Sequence, residues 1–144
     1  KINGPEPVDK KLEELSNETL AFDKALLSYN SRDFASALNH FSSFNEIYPQ
    51  SINVAEAYFW LGQTHVELAN DKGASSAFLE SFSRAPTGSF AWKSLLGLAI
   101  SLGELGQFEQ GCLTLIELKS RFPKKVSQSL DQVLMAEEQL KCSP

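Results

Sequence analysis

At 144 residues the chain is long enough for one domain with a core of its own. Apolar residues make up 42% and charged residues 22%, ordinary for a globular protein, and 13 basic against 18 acidic side chains leave a net charge of −5. That balance speaks against nucleic acid, whose phosphates need a basic face, and no apolar run approaches the roughly 20 residues of a membrane-spanning helix.

The chain opens at Lys1 with no initiator Met and no signal segment, so a processed product or a piece of a longer protein is expected. "KINGPEPVDK" carries two prolines and a glycine and reads as a lead-in; residues 1–17 are assigned to a linker or N-terminal extension. Within it, Asp9 to Ser16 is charged, with Leu12 and Leu15 three apart, and either lengthens the first helix or is the remnant of an upstream element. A helix then ends near Asn30, Arg32-Asp33 turns, and a helix runs from Phe34 to Tyr48. Next comes Val54 to Ala69, with Asn53 as its N-cap, a turn at Asn70-Asp71, and Lys72 to Arg84 with Ala74, Ala77, Phe78, Ser81 and Phe82 on one face. Ala85-Pro86 stops it, because proline disfavours helical geometry in the residue before it. Ser89 is placed as the cap of Phe90 to Leu105, which turns at Gly106 into Phe108 to Arg121. The last segment, about 125–141, is amphipathic through Val126, Leu130, Val133, Leu134 and Leu140 and reads as one capping helix. Sustained two-residue alternation is absent, so no sheet is expected.

Three markers share one period. Tyr48-Pro49, Ala85-Pro86 and Phe122-Pro123 lie 37 residues apart, as do Ala37, Ala74 and Gly111, and Phe41, Phe78 and Leu115. Such a period implies stacked helix pairs, each too small to bury its own apolar face. Leu61-Gly62, Ala74, Phe78 and Pro86 resemble the tetratricopeptide (TPR) pattern, and the third copy matches it with Leu98-Ala99, Gly106, Gly111, Leu115, Leu118 and Pro123. Gly62 then marks a close approach of two helices, a place held by Ala25 and Ala99 in the other copies. The expected fold is all-α: a right-handed α-solenoid of three TPR helix pairs (about 18–49, 55–86 and 92–123) with a C-terminal cap.

Catalytic signatures do not emerge. There is no HExxH, GxSxG, phosphate-binding glycine loop or Cys/His cluster, so neither enzyme activity nor a cofactor or metal is expected. His40 and His65 read as structural or exposed, and Glu137-Glu138 as a solvated face. Two thiols, Cys112 and Cys142, are compatible with separate cysteines or with one disulfide. What remains is a binding surface on the first helices of the pairs, which line the concave side of such stacks. Copy one offers Phe22, Leu26 and Tyr29, copy two Phe59, Gln63, Val66 and Glu67, and copy three Leu96, Ile100 and Glu104. This set suits an extended or helical peptide with apolar anchors and some basic character. It lacks the Lys and Asn with which TPR clamps hold C-terminal carboxylates.

"AYFWLGQTHVELANDKGASSAFLESFSRAP" and "LLGLAISLGELGQFEQGCLTLIELKSRFP", with the 37-residue period, closely resemble the C-terminal TPR domain of the Tol-Pal system YbgF/CpoB family, over about Leu20 to Cys142. The resemblance extends to the branch of that family with cysteines matching Cys112 and Cys142. It implies a periplasmic, non-enzymatic adaptor associated with TolA, coupling outer-membrane constriction to septal peptidoglycan synthesis in cell division. A periplasmic home would favour the Cys112–Cys142 disulfide. Members usually trimerise through an N-terminal coiled coil; only Lys10 to Leu15 offers a remnant here, so homo-oligomerisation is expected only through an upstream coiled coil outside this sequence. The alternatives are a generic TPR interaction scaffold of another pathway and, much weaker, a cell-wall hydrolase or transferase module.

Overall fold

The computed structural model describes residues 8–143. Among them eight helices follow in order and no strand occurs: α1 (Val8–Asn30), α2 (Phe34–Ile47), α3 (Val54–Glu67), α4 (Asp71–Arg84), α5 (Ala91–Glu104), α6 (Phe108–Arg121), α7 (Pro123–Gln128) and α8 (Leu130–Gln139). α2, α4 and α6 start 37 residues apart and span 14 residues each; α3 and α5 do the same. Each helix from α1 to α6 packs on the next, and the first helices of successive pairs also touch, α1 on α3 and α3 on α5. The result is an all-α solenoid.

The period extends to backbone conformation. The turn inside each pair closes on a residue with positive φ: Arg32 (62°), Ala69 (57°) and Gly106 (79°), again 37 apart. The next amide in each turn donates back into the helix, Asp33 to the Ser28 carbonyl (2.9 Å), Asn70 to His65 (2.8 Å) and Gln107 to Leu102 (2.8 Å). These bonds satisfy carbonyls that the helix end would otherwise leave open. Only the third copy uses glycine, which escapes the roughly 1–2 kcal/mol that a Cβ costs in this conformation.

Helix starts are of two kinds. The carboxylate of Asp33 accepts from Ser36 N at 3.2 Å and the Asn70 side chain from Gly73 N at 3.1 Å, capping α2 and α4. The Ser36 hydrogen bonds hold the Asp33 carboxyl below its ordinary pKa. The expected caps at Asn53 and Ser89 are not made; α3 and α5 follow Asn53 and Phe90 with no side-chain cap bond. Backbone turns take over there, with Val54 N donating to Ser51 O and Ala91 N to Gly88 O, both at 3.1 Å.

Phe78 holds the middle of the stack together. It is fully buried, and a Cβ built on Gly62 (α3) or on Gly97 (α5) would stand 2.7 Å from its ring carbons. The ring of α4 is thus clasped between two glycines of the flanking first helices. Around it pack Phe59, Ala74 and Leu98, while Phe22, Phe41, Phe44 and Leu61 fill the junction of the first pair with α3, and Leu95, Leu115, Leu118 and Val133 that of the last pair with the cap. A buried polar seam crosses the same three helices: Ser94 Oγ donates to Ser81 Oγ (2.8 Å), which donates to the Ala55 carbonyl (2.7 Å).

Both ends differ in detail from expectation. Residues 1–7 of the expected lead-in lie outside the described residues, and 8–17 are not linker but the first turns of α1. After Pro7 nothing in the sequence interrupts a helix, and Leu12 and Leu15 ride on its exposed surface. The single capping helix is two, broken at Ser129, whose φ is −129° and whose amide is shared between the Lys125 and Val126 carbonyls. Helical spacing is kept across the break: Val126, Val133, Ala136 and Leu140 are buried, whereas Leu130 and Leu134 face out. Leu140 enters a notch on α5 and α6 that only glycines leave open, Gly103 and Gly111.

Gly62→Ala should destabilise the protein by about 1–3 kcal/mol through overpacking against Phe78. The same change in a Phe78→Leu background should cost much less, since the clash partner is shorter. Urea unfolding followed by circular dichroism tests this; equal losses in both backgrounds would mean that the α3–α4 spacing is not set by that ring.

Candidate functional site

α3 and α5 lie side by side and leave a cleft of about 350 Å³ between them. From α3 it is lined by Phe59, Trp60 and Gln63, from α5 by Trp92, Lys93, Leu96, Gly97 and Ile100, and Gln132 of α8 forms one wall. The helical spacing explains the set: 92, 96 and 100, and 93, 97 and 100, recur every three or four residues along one face of α5. Gly97 clasps Phe78 on the side where its Cβ would stand, and it is also among the residues that line the cleft.

The ten residues expected in a groove divide by position. Phe59, Gln63, Leu96 and Ile100 line the cleft. Phe59 is only 5% exposed and rests on the rings of Phe78 (5.8 Å) and Phe90 (5.1 Å), so it is floor rather than handle. Phe22, 7% exposed, packs on Phe41 and Phe44 in the core of the first pair. Leu26 and Tyr29 are half-buried against that same cluster. Val66, Glu67 and Glu104 are at or beyond the C-terminal ends of the cleft walls and do not line it. Glu67 pairs with Arg32 at 3.9 Å in an exposed contact, and Glu104 accepts from Gln139 Nε2 at 2.6 Å, which ties α5 to α8.

Trp60, Trp92, Lys93 and Gln132 were not among those ten. Trp60 had a signal: its repeat equivalents are Asp23 and Gly97, so a large ring at that position has no core slot waiting for it. In the structure it is half-buried, donates from Nε1 to Glu56 at 3.1 Å and packs at a tilt against Tyr29, with ring centroids 5.0 Å apart. Gln132 was missed because it lies on α8, whereas the expected groove was confined to the first helices of the pairs. Tyr29 has its pKa raised, first by burial and then by Glu67, with Arg32 opposing, so it stays a neutral phenol.

His65 and Asn70 form part of the α3–α4 turn, with Nδ1 of His65 3.2 Å from the Asn70 amide nitrogen, and burial lowers the His65 pKa. A neutral ring whose Nδ1 accepts from Asn70 fits that environment. Among the described residues no group of three or more His, Cys, Asp or Glu side chains is placed to hold a metal, and no helix is long and apolar enough to cross a membrane.

A second, larger concavity of about 570 Å³ lies between α6 and the C-terminal segment, where Phe108, Leu113 and Ile116 face Leu140 and Lys141. Cys112 and Cys142 are joined there by a disulfide, with Cα atoms 5.5 Å apart and a separation of 30 positions in the sequence. The bridge anchors the segment just after Leu140 to α6; a salt bridge from Lys119 to Glu137 (2.6 Å) lies along the same seam. An oxidising compartment is compatible with such a bond.

The sequence model of the tetratricopeptide repeat matches residues 93–125, that is, nearly all of α5, all of α6 and the start of α7. No curated protein matches the chain. The protein therefore contains a tetratricopeptide repeat in its third helix pair, and such repeats serve as protein-interaction scaffolds.

Replacing both cysteines by serine should cost about 3–4 kcal/mol, the loop-closure entropy of a 30-residue ring, with the loss centred on α7 and α8. Hydrogen exchange should show earlier opening of 123–140 than of α3 and α4. Uniform loss of protection across the chain would instead mean that the bridge holds the whole stack.

Proposed function

We propose that the protein is a periplasmic adaptor of a Tol-Pal-type cell-envelope system, holding protein segments in the α3–α5 cleft and coordinating outer-membrane constriction with septal peptidoglycan synthesis. The observation that carries the binding part is the cleft itself: two tryptophans, Phe59, Leu96 and Ile100 on adjacent first helices of a repeat scaffold. An apolar pocket with a few polar groups at its edge is the ordinary form of a recognition site. The Tol-Pal assignment rests on the resemblance of the YFWLGQ segment and the 37-residue period, and is supported by the disulfide, which suits the periplasm. On this reading the protein has no catalytic centre, and its partners are TolA and septal synthesis proteins. Oligomerisation, if upstream sequence supplies a coiled coil, would array several clefts together.

The test is a pull-down from solubilised envelope extract with wild type and Ile100→Glu. Ile100 is half-buried at the cleft, so the variant should keep its helical spectrum, while an unpaired charge facing an apolar ligand costs several kcal/mol. Wild type should retain TolA or septal synthesis proteins and the variant should lose them. Retention of the same proteins by both would remove the cleft from the function. Loss of a different protein set would leave a repeat scaffold of another pathway.

A further inference from the structure

We propose that the N-terminal arm of α1 in one copy of this chain docks in an unfilled helix seat at the α6–α8 end of a second copy, so that copies join head to tail. The inference does not depend on the α3–α5 cleft.

The seat is visible first in the backbone. Each first helix of a pair closes on three bonds, from the amides of residues 31–33, 68–70 and 105–107 to carbonyls four, three and five positions back. α8 closes on the same three bonds, from Leu140 to Ala136, Lys141 to Glu138 and Cys142 to Glu137. Lys141 also shares the positive φ (56°) of Arg32, Ala69 and Gly106. In those three turns a 14-residue second helix begins two positions later, at Phe34, Asp71 and Phe108. α8 thus ends as a first helix ends, and none of the described residues supplies its second helix.

Side chains agree. Counted back from these turns, Leu134 falls where Ala25, Gly62 and Ala99 stand, the close approach of each first helix to its own second helix. Those three are buried, whereas Leu134 is 51% exposed. Leu130, at the position of the buried Leu95, is 48% exposed. Leu130, Leu134 and Glu137 recur at helical spacing on one face of α8, and Glu137 lines the 570 Å³ concavity. On the α6 side of that concavity Phe108, Leu113 and Ile116 are exposed. The outer face of a terminal repeat is ordinarily polar. This one is apolar, as a face that lacks its helix would be.

The arm is the counterpart. α1 has 23 residues against 14 in α3 and α5. Residue 17 is the repeat equivalent of Val54, so Val8 to Ser16 have no counterpart in the other first helices. Val8, Leu12 and Leu15, spaced i, i+4 and i+7, form one face of this arm, and all three are exposed. Nine residues of helix span about 13.5 Å, close to the roughly 15 Å of a ten-residue helix such as α8. The arm therefore has an apolar stripe and no groove, and the seat has an apolar groove and no helix. An arm cannot reach the seat of its own copy, because α2 to α6 stand between them in the stack. Lys11 and Glu14 flank the arm, and Glu109 and Lys141 line the seat; all four are exposed and none forms an ion pair among the described residues. One base and one acid on each side give the joint a preferred orientation more than they add affinity. A donor face and an acceptor face on one chain make a heterologous contact, which can repeat from copy to copy.

The test is sedimentation velocity of the whole chain, kept oxidised, over a concentration series. Wild type should form concentration-dependent species that extend beyond the dimer. Leu12→Glu in the arm and Ile116→Glu in the seat both change exposed positions and should keep the helical spectrum. Each should weaken self-association by at least about tenfold, since each places a charge in an apolar joint. An equimolar mixture of the two variants should form 1:1 dimers and nothing larger, because one intact arm meets one intact seat. Leu79→Glu, an exposed change on α4, should behave as wild type. A wild type that stays monomeric throughout overturns the proposal. Association lost in Leu12→Glu and kept in Ile116→Glu overturns it by showing that arms pair with one another. Loss in both without dimers in the mixture also overturns it. If the wild type is monomeric and Ile116→Glu loses a protein that wild type retains from envelope extract, the seat belongs to that protein and the proposal falls.

Discussion

The position of Phe78 fixes the rest of the structure. Its ring fills the space where α3, α4 and α5 meet, and that space exists only because Gly62 and Gly97 lack side chains. A stack of helix pairs has no single core; each junction between pairs must set its own distance and angle. Here one ring against two backbones sets the central junction, with Phe59, Ala74 and Leu98 closing around it. Close packing of this kind does not deform continuously, so the spacing of α3 and α5 is a fixed quantity. The cleft inherits that spacing. Gly97 and Phe59 line it, and both also touch Phe78. Two residues thus belong both to the cleft lining and to the Phe78 junction.

The same device recurs in altered form along the chain. In the first pair Phe41 occupies the repeat position of Phe78, and Ala25 holds the place of Gly62; both are fully buried. The C-terminal end has no further pair, and Leu140 supplies the plug instead, entering between Gly103 and Gly111. A leucine on a short terminal segment is a weaker anchor than a ring on a 14-residue helix, because α8 has fewer neighbours to hold it. The Cys112–Cys142 bond lies two residues beyond Leu140 and makes good that weakness by keeping the segment at α6 even when local packing opens.

Much of this was legible in the sequence because the period is written in residues with strong local consequences. Prolines 49, 86 and 123 end second helices, small residues at 37, 74 and 111 mark close contacts, and Gly106 marks the turn whose conformation Arg32 and Ala69 share. What was not legible depends on tertiary choices that periodicity does not encode. The Ser129 break has neither proline nor glycine to announce it, and that Val133 and Ala136 face inward while Leu130 and Leu134 do not follows from where α8 meets α5 and α6. Caps at Asn53 and Ser89 were chemically reasonable, but backbone turns from Ser51 and Gly88 reached the orphan amides first. In the site, the expected groove followed the repeat positions and so included Phe22, a core residue here. It passed over Trp60 and Trp92, whose exposure depends on which neighbour is small. Trp60 stands at the repeat position that Gly97 holds in the third copy, so the copies differ most where the cleft forms.

The cap consequently has two physical roles. Its inner face, Val126, Val133, Ala136 and Leu140, covers apolar surface of the last pair that would otherwise meet water. Its outer edge carries Gln132 into the wall of the cleft, and Gln139 bonds to Glu104 at the end of α5. A solenoid end is normally the part most prone to local opening. Here that part also forms one wall of the cleft, so its order and the geometry of the cleft cannot vary independently. The disulfide then bears on the shape of the cleft as well as on stability, since it restricts the one element of the cleft that is not held by the Phe78 junction. A loosened cap would leave α3 and α5 in place with Trp60 and Trp92, but it would remove the Gln132 wall and let the C-terminal end of α5 fray. The expected consequence is a cleft that keeps its apolar floor and loses part of its polar edge, which on the proposed function is a change in selectivity more than in gross affinity.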